Sequence, residues 1–184
     1  MKSKNIAMMI GGMAAGMVGS RVIPPLAAAL IGSQRVRAGG DPFALLIDDH
    51  RKIRALLDQM IADPTGSMPK RARLFLMLKR KLAKHAMAEE DAVYPIVRND
   101  SVEGDERKHL YDEHADMKIL LHEIEEDIKS RQDWTVNVTA LRNLVLNHVE
   151  EEEKTIFPEL RRELGAGRQP KLGGQISREE ALVV

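Results

Sequence analysis

The chain has 184 residues, enough to bury the core of one compact domain and to carry appendages. Lys and Arg balance Asp and Glu at 28 each, so the formal charge is zero and nothing in it favours nucleic acid as a partner. Cysteine is absent, which excludes disulfides, thiolate zinc sites and thiol nucleophiles; the scarcity of aromatics beside Leu, Ala, Met, Lys, Arg and Glu favours helix over sheet.

Residues 1–40 stand apart. Lys2 and Lys4 lead into an apolar, Gly- and Met-rich run over 6–18, and after Arg21 and Pro24-Pro25 a second apolar run covers 26–31. Gly12 and Gly16 have the spacing that lets helices approach closely in lipid. The first run is short for a single span, which needs roughly 20 apolar residues. Basic flanks on both sides favour a shallow membrane-associated hairpin with both ends cytoplasmic. A cleaved signal and a soluble or unstructured segment are the other two readings, and a small-residue cleavage site is not evident. The expected location is the cytoplasm, attached to the inner face of the membrane through 1–40, ahead of a secreted or periplasmic one.

Gly39-Gly40 reads as a linker, and Asp41-Pro42 as an N-cap followed by proline in a first helical turn. The first helix extends to about Ile61, with Leu46, His50, Ile53 and Leu57 on one stripe. After the loop at 63–67, a second helix from about Pro69 to Arg98 lines up Leu78, Leu82, His85, Glu89 and Val93. A third, from about Asp105 to Ser130, turns Leu110, His114, Met117 and Leu121 inward. The fourth starts at Asp133 or Thr135 and reaches Leu164, with Val145, His148, Glu152 and Ile156 on its stripe. Gly165 and Gly167 end it, and 165–184 has Gly, Pro and mixed charge with no period, as a flexible tail would. The expected fold is all-α: an up-down-up-down antiparallel four-helix bundle over 41–164 with an N-terminal apolar helical extension.

The middle of the chain is one unit written twice. His85-Ala86-Met87-Ala88-Glu89-Glu90, ending at Tyr94-Pro95, matches His148-Val149-Glu150-Glu151-Glu152-Glu153, ending at Phe157-Pro158. Upstream, Asp48-Asp49-His50 matches Asp112-Glu113-His114. His50, His85, Glu89, His114, His148 and Glu152 therefore occupy equivalent positions, all on apolar stripes. A buried, unpaired carboxylate costs several kcal/mol, and no Lys or Arg shares these stripes. Cations between the helices would neutralise both carboxylates and satisfy the imidazoles. Glu151 also lies within reach of His148, but its repeat counterpart is Ala88, whereas Glu152 matches Glu89. His109 and His122 lie beside the stripes and read as surface residues, and the remaining acids as a solvated face. Tyr94 and Tyr111 are candidates for supporting contacts to the site. Mixed nitrogen and carboxylate donors exclude calcium and magnesium as the natural guests. Six donors exceed what one zinc uses. Two ions sharing two carboxylates fit better; iron and manganese suit the mixture and zinc is the rival.

At these residues the chain resembles the hemerythrin-like HHE cation-binding domain family. The likeness covers about 41–164 and rests on the His…HxxxE…His…HxxxE pattern. It implies a four-helix bundle around two non-haem iron ions, His50 and His85 on one, His114 and His148 on the other, with Glu89 and Glu152 bridging. It implies binding or sensing of dioxygen, peroxide or nitric oxide, or iron handling. Oxygen carriers of the family have a further histidine where this chain has Leu110, so sensing or redox chemistry is expected ahead of oxygen storage. A peroxidase-like or nitric-oxide-handling enzyme and a metal-independent interaction module are the alternatives.

Overall fold

The computed structural model describes residues 24–97 and 106–183; the first apolar run and residues 98–105 lie outside them. All regular structure among the described residues is helical. Helix α1 covers 24–37, α2 Ala44–Ala62, α3 Met68–Ala88, α4 Glu106–Lys129, α5 Thr135–Glu151 and α6 Phe157–Glu180. Helix α2 packs against α3 and α5, and α4 against α5 and α3, so these four close a ring around a common interior.

That interior has two apolar compartments. Ile53, Leu57, Leu78, Ile124 and Leu141 anchor one, and Phe43, Leu46, Val93, Leu110 and Phe157 the other. Along α2, His50 falls between Leu46 of the second compartment and Ile53 of the first. The polar residues thus form a layer with oil above and below it, where water cannot compensate their charge. Ahead of α2, Asp41 accepts from the Phe43 N–H at 3.2 Å, but the helix begins at Ala44 with Phe43 in the capping place and no side-chain cap, so Asp41 is not the N-cap that its residue type suggests. Its carboxylate also takes a two-pronged contact from Arg161, at 2.9 and 2.6 Å, which ties the start of α2 to α6.

Both α3 and α5 widen where their glutamates sit. Glu89–Val93 and Glu152–Ile156 each form a π-turn, in which the Tyr94 and Phe157 N–H groups reach back five residues to the Glu89 and Glu152 carbonyls. Pro95 and Pro158 follow immediately and have no N–H to continue the ordinary ladder. The wider turn brings the glutamate and the aromatic residue five later onto one side of the helix.

The expectation of a flexible tail at 165–184 is corrected. Gly165, at φ 56° and ψ 172°, does interrupt α6, but the chain is helical again through Glu180. Leu172 and Ile176 are buried in the second apolar compartment. Gly173 and Gly174 let this helix lie directly on α1: a β-carbon on Gly174 would stand 2.2 Å from Ser33 Oγ, and one on Gly173 2.6 Å from Val36. Burial of two residues and a glycine seam leave no amphipathic stripe to read. On α1, Leu26, Leu30 and Ile31 are exposed. No helix among the described residues is long and apolar enough to cross a membrane.

If the last helix is part of the core, Ile176→Ala costs about 2–5 kcal/mol in urea unfolding. A tail that does not pack would give no measurable change.

Candidate metal centre

All six sequence-selected residues converge. His50, Glu89 and Glu152 have 0% exposure, and His85, His114 and His148 are at 3% or less. They fall into two groups of donor atoms that could each hold an ion: His50, His85, Glu89 and Glu152, and Glu89, His114 and His148. In the first, His50 Nε2 lies 3.1 Å from His85 Nε2 and 3.2 Å from Glu152 Oε2, and His85 Nε2 lies 3.1 Å from Glu89 Oε1. In the second, His114 Nε2 lies 3.3 Å from His148 Nε2 and 3.4 Å from Glu89 Oε2. Glu89 therefore offers one oxygen to each group. Glu152 Oε2 also approaches His148 Nε2, at 3.5 Å.

Two observations fit cations here. In the second group both rings give their Nδ1 proton to a carboxylate, so in the neutral rings the two facing Nε2 atoms are both lone pairs with no proton between them. Glu89 Oε1 and Glu152 Oε2 are buried without a hydrogen-bond partner. The donors stand about 3–3.5 Å apart, the spacing of atoms that share an ion at about 2.0–2.2 Å.

A ring of outer carboxylates aims the imidazoles, among them Glu153, which the sequence places on a solvated face. His50 Nδ1 donates to Glu153 at 2.7 Å, His114 Nδ1 to Glu90 at 3.0 Å and His148 Nδ1 to Glu113 at 2.7 Å. Glu90 and Glu153 are repeat counterparts, and each reaches from the widened turn of its helix to the first histidine of the other unit. Glu113 has Asp49 as its counterpart, but Asp49 accepts from Lys81 at 2.9 Å, and its other oxygen and His85 Nδ1 are both without a partner. The signal was available: both units have an acid just before the first histidine and just after the inward glutamate. Such outer contacts fix tautomer and ring orientation and raise ligand basicity.

With these side chains facing only one another, the charges are strongly interdependent. Burial pushes His50 down, but Glu152 and Glu89 outweigh it and raise its pKa to about 10. His114 behaves alike, burial being overcome by Glu89 and Glu90 to give about 9. Burial wins at His85, lowering it to about 3. Burial and the nearby Glu89 charge push Glu152 up, while Glu89 itself is held well below the usual range by His85, His114 and His50 in spite of its burial.

Tyr94 is fully buried with its hydroxyl among the second group, whereas Tyr111 lies at the surface and donates to the Glu90 carbonyl at 3.0 Å. Leu110 is buried and contributes no donor. His122 is exposed. His109, also exposed, stands near Glu113 and Glu151 at 3.5 and 3.6 Å as a third, outer group that could hold an ion. A cavity of about 250 Å³ between α3 and α4 reaches His85 and His114 past Leu82, Ala86, Met117 and Leu121.

Comparison with known proteins gives one family and one relative. The family model described as the hemerythrin HHE cation-binding domain matches residues 41–160. A DNA nickase from Nostoc sp. (strain PCC 7120 / SAG 25.82 / UTEX 2576) is 34% identical over 118 residues, which are 64% of this chain and 33% of the relative. The chain thus spans about a third of that relative's length. No solved structure matches.

Two outcomes are expected in solution. Glu90→Gln and Glu153→Gln weaken cation binding by about tenfold or more in chelator competition, whereas Glu150→Gln, on an exposed residue paired with Lys154, leaves it unchanged. A cation must also displace the protons that the carboxylates hold on His50 and His114, whose pKa values lie near 10 and 9. Uptake at pH 7 therefore releases at least two protons per chain, and affinity rises with pH up to about 10. Calorimetry in buffers of different ionisation heat reads that release directly.

Proposed function

The chain belongs to the hemerythrin HHE cation-binding domain family, and from that premise we propose that it holds two non-haem iron ions and binds or senses dioxygen, peroxide or nitric oxide, or handles iron. In this reading α2, α3, α4 and α5 with the start of α6 run up-down-up-down as the family's four-helix bundle, and the α1 and C-terminal helices cover one end. His50 and His85 would hold one ion, His114 and His148 the other, and Glu89 and Glu152 would bridge them.

The observation that carries this reading is the sharing of Glu89. Its two oxygens serve two separate donor groups, so a single ion leaves one group unsatisfied. The donors are nitrogen and carboxylate oxygen throughout, which suits iron, then manganese, with zinc as the rival. When bound, the irons supply one-electron redox chemistry and positions at which a small ligand can coordinate. The protein's part is to exclude water, hold the imidazoles on their ring nitrogens through Glu90, Glu113 and Glu153, and offer a narrow apolar path. The cavity past Leu82 and Met117 suits an uncharged diatomic ligand or hydrogen peroxide better than an ion.

Leu110 supports sensing or redox handling over oxygen storage, since it leaves the His114 side without the extra imidazole of the carriers. Nucleic acid has no place in this reading. The nicking activity named for the Nostoc relative belongs to a longer protein and is not carried over.

Metal analysis of freshly purified protein should find about two irons per chain, with an optical spectrum that changes on adding dioxygen, peroxide or nitric oxide. His85→Ala should lose most of the iron and that response. Purified protein with no bound iron, or binding indifferent to His85→Ala, contradicts the proposal. Turnover of peroxide by the iron-loaded form would move the reading from binding to enzyme.

A further inference from the structure

Tyr94 is one place where the two repeat units part in chemistry. Phe157 is its counterpart, equally buried, lying parallel to the His50 ring with 6.0 Å between centroids. Packing at this position is therefore met by a bare ring, and the Tyr94 hydroxyl is an addition confined to one half of the site.

That hydroxyl is surrounded by donors. Its oxygen lies 3.0 Å from His114 Nε2, 3.4 Å from His148 Nε2, 3.0 Å from Glu152 Oε1 and 3.5 Å from Glu89 Oε2. A phenol has one proton, so although its oxygen can accept from an imidazole N–H, it can donate to only one of the two carboxylate oxygens. The separations are instead those of atoms grouped round one ion, about 3–3.5 Å for bonds of about 2.0–2.2 Å. The π-turn makes the approach possible, because Tyr94 follows Glu89 by five residues and that is the step the widened helix closes.

Resting on the di-iron reading above, we infer that Tyr94 is a metal ligand: its phenol oxygen coordinates the ion held by His114 and His148. It adds a donor on the side where the buried Leu110 contributes none. Ligation as phenolate releases the phenol proton to solvent and puts a hard, anionic oxygen on that ion alone. The His50–His85 ion has no such donor, since Phe157 stands in the equivalent place. The two irons therefore differ, and the more open one is on the side of His50 and His85. An anionic oxygen favours the ferric state, which fits a redox or sensing role better than reversible storage.

Resonance Raman spectroscopy of the ferric full-length protein tests this. Phenolate ring vibrations enhanced by the visible band are expected in the wild type, lost in Tyr94→Phe reloaded with excess iron, and kept in Tyr111→Phe with iron content and helix content unchanged. Should Tyr94→Phe fail to fold, ring-deuterated tyrosine incorporated into Tyr111→Phe leaves Tyr94 as the only tyrosine, and its isotope must shift those vibrations. Iron-loaded wild type without phenolate vibrations, or vibrations that survive in Tyr94→Phe, overturns the inference while leaving the di-iron reading intact. Absence of iron from the wild type overturns both.

Discussion

Two carboxylates sealed inside an apolar helical bundle are the constraint on which the rest of this molecule depends. Glu89 and Glu152 have no exposure to solvent, and each has an oxygen without a hydrogen-bond partner. Taking one carboxylate out of water costs several kcal/mol even after relaxation, and two near each other cost more. Stability of a domain this size is only about 5–15 kcal/mol, so such a layer must be compensated within the site. The imidazoles of His50, His114 and His148 supply part of the compensation by holding protons, and cations would supply it in full. The protein around the layer is arranged for that exchange: two oily compartments keep water away, and a ring of outer carboxylates holds the imidazoles in place.

The internal repeat explains why the site can be built at all, and its departures explain why it is not symmetric. Each unit gives a histidine from its first helix and a His-xxx-Glu from its second, and each second helix widens at its glutamate. The outer acids Glu90 and Glu153 cross between units in the same way. Symmetry then fails at two places. Tyr94 faces Phe157, and Glu113, which serves His148, faces Asp49, which is drawn to Lys81 instead. Both departures enrich the His114–His148 half and leave the His50–His85 half sparser.

Much of this was legible because burial writes a period into a helix. The four long helices and the inward histidines and glutamates follow from apolar stripes and from one motif spelled twice. The outer acids were hidden for a physical reason. One residue past an inward position, a side chain faces the neighbouring helix, and by sequence Glu90 and Glu153 look like any solvated acid. Only their recurrence in both units marked them. The C-terminal helix was hidden differently. It packs through Gly173 and Gly174 against α1 and buries Leu172 and Ile176, and so short a contact has no stripe to betray it. Gly165, whose role is local, was readable from residue type alone.

The most direct test of the central claim is the unfolding free energy of wild type and Glu152→Gln, each measured in chelator and again with saturating iron. Burial and the charge on Glu89 make Glu152 the costlier of the two carboxylates. Without metal, Glu152→Gln loses the buried ion pair with His50; with iron, wild type should gain clearly more than the variant. If iron stabilises both forms equally, or neither, the carboxylates are not what the cations compensate, and the claim is wrong.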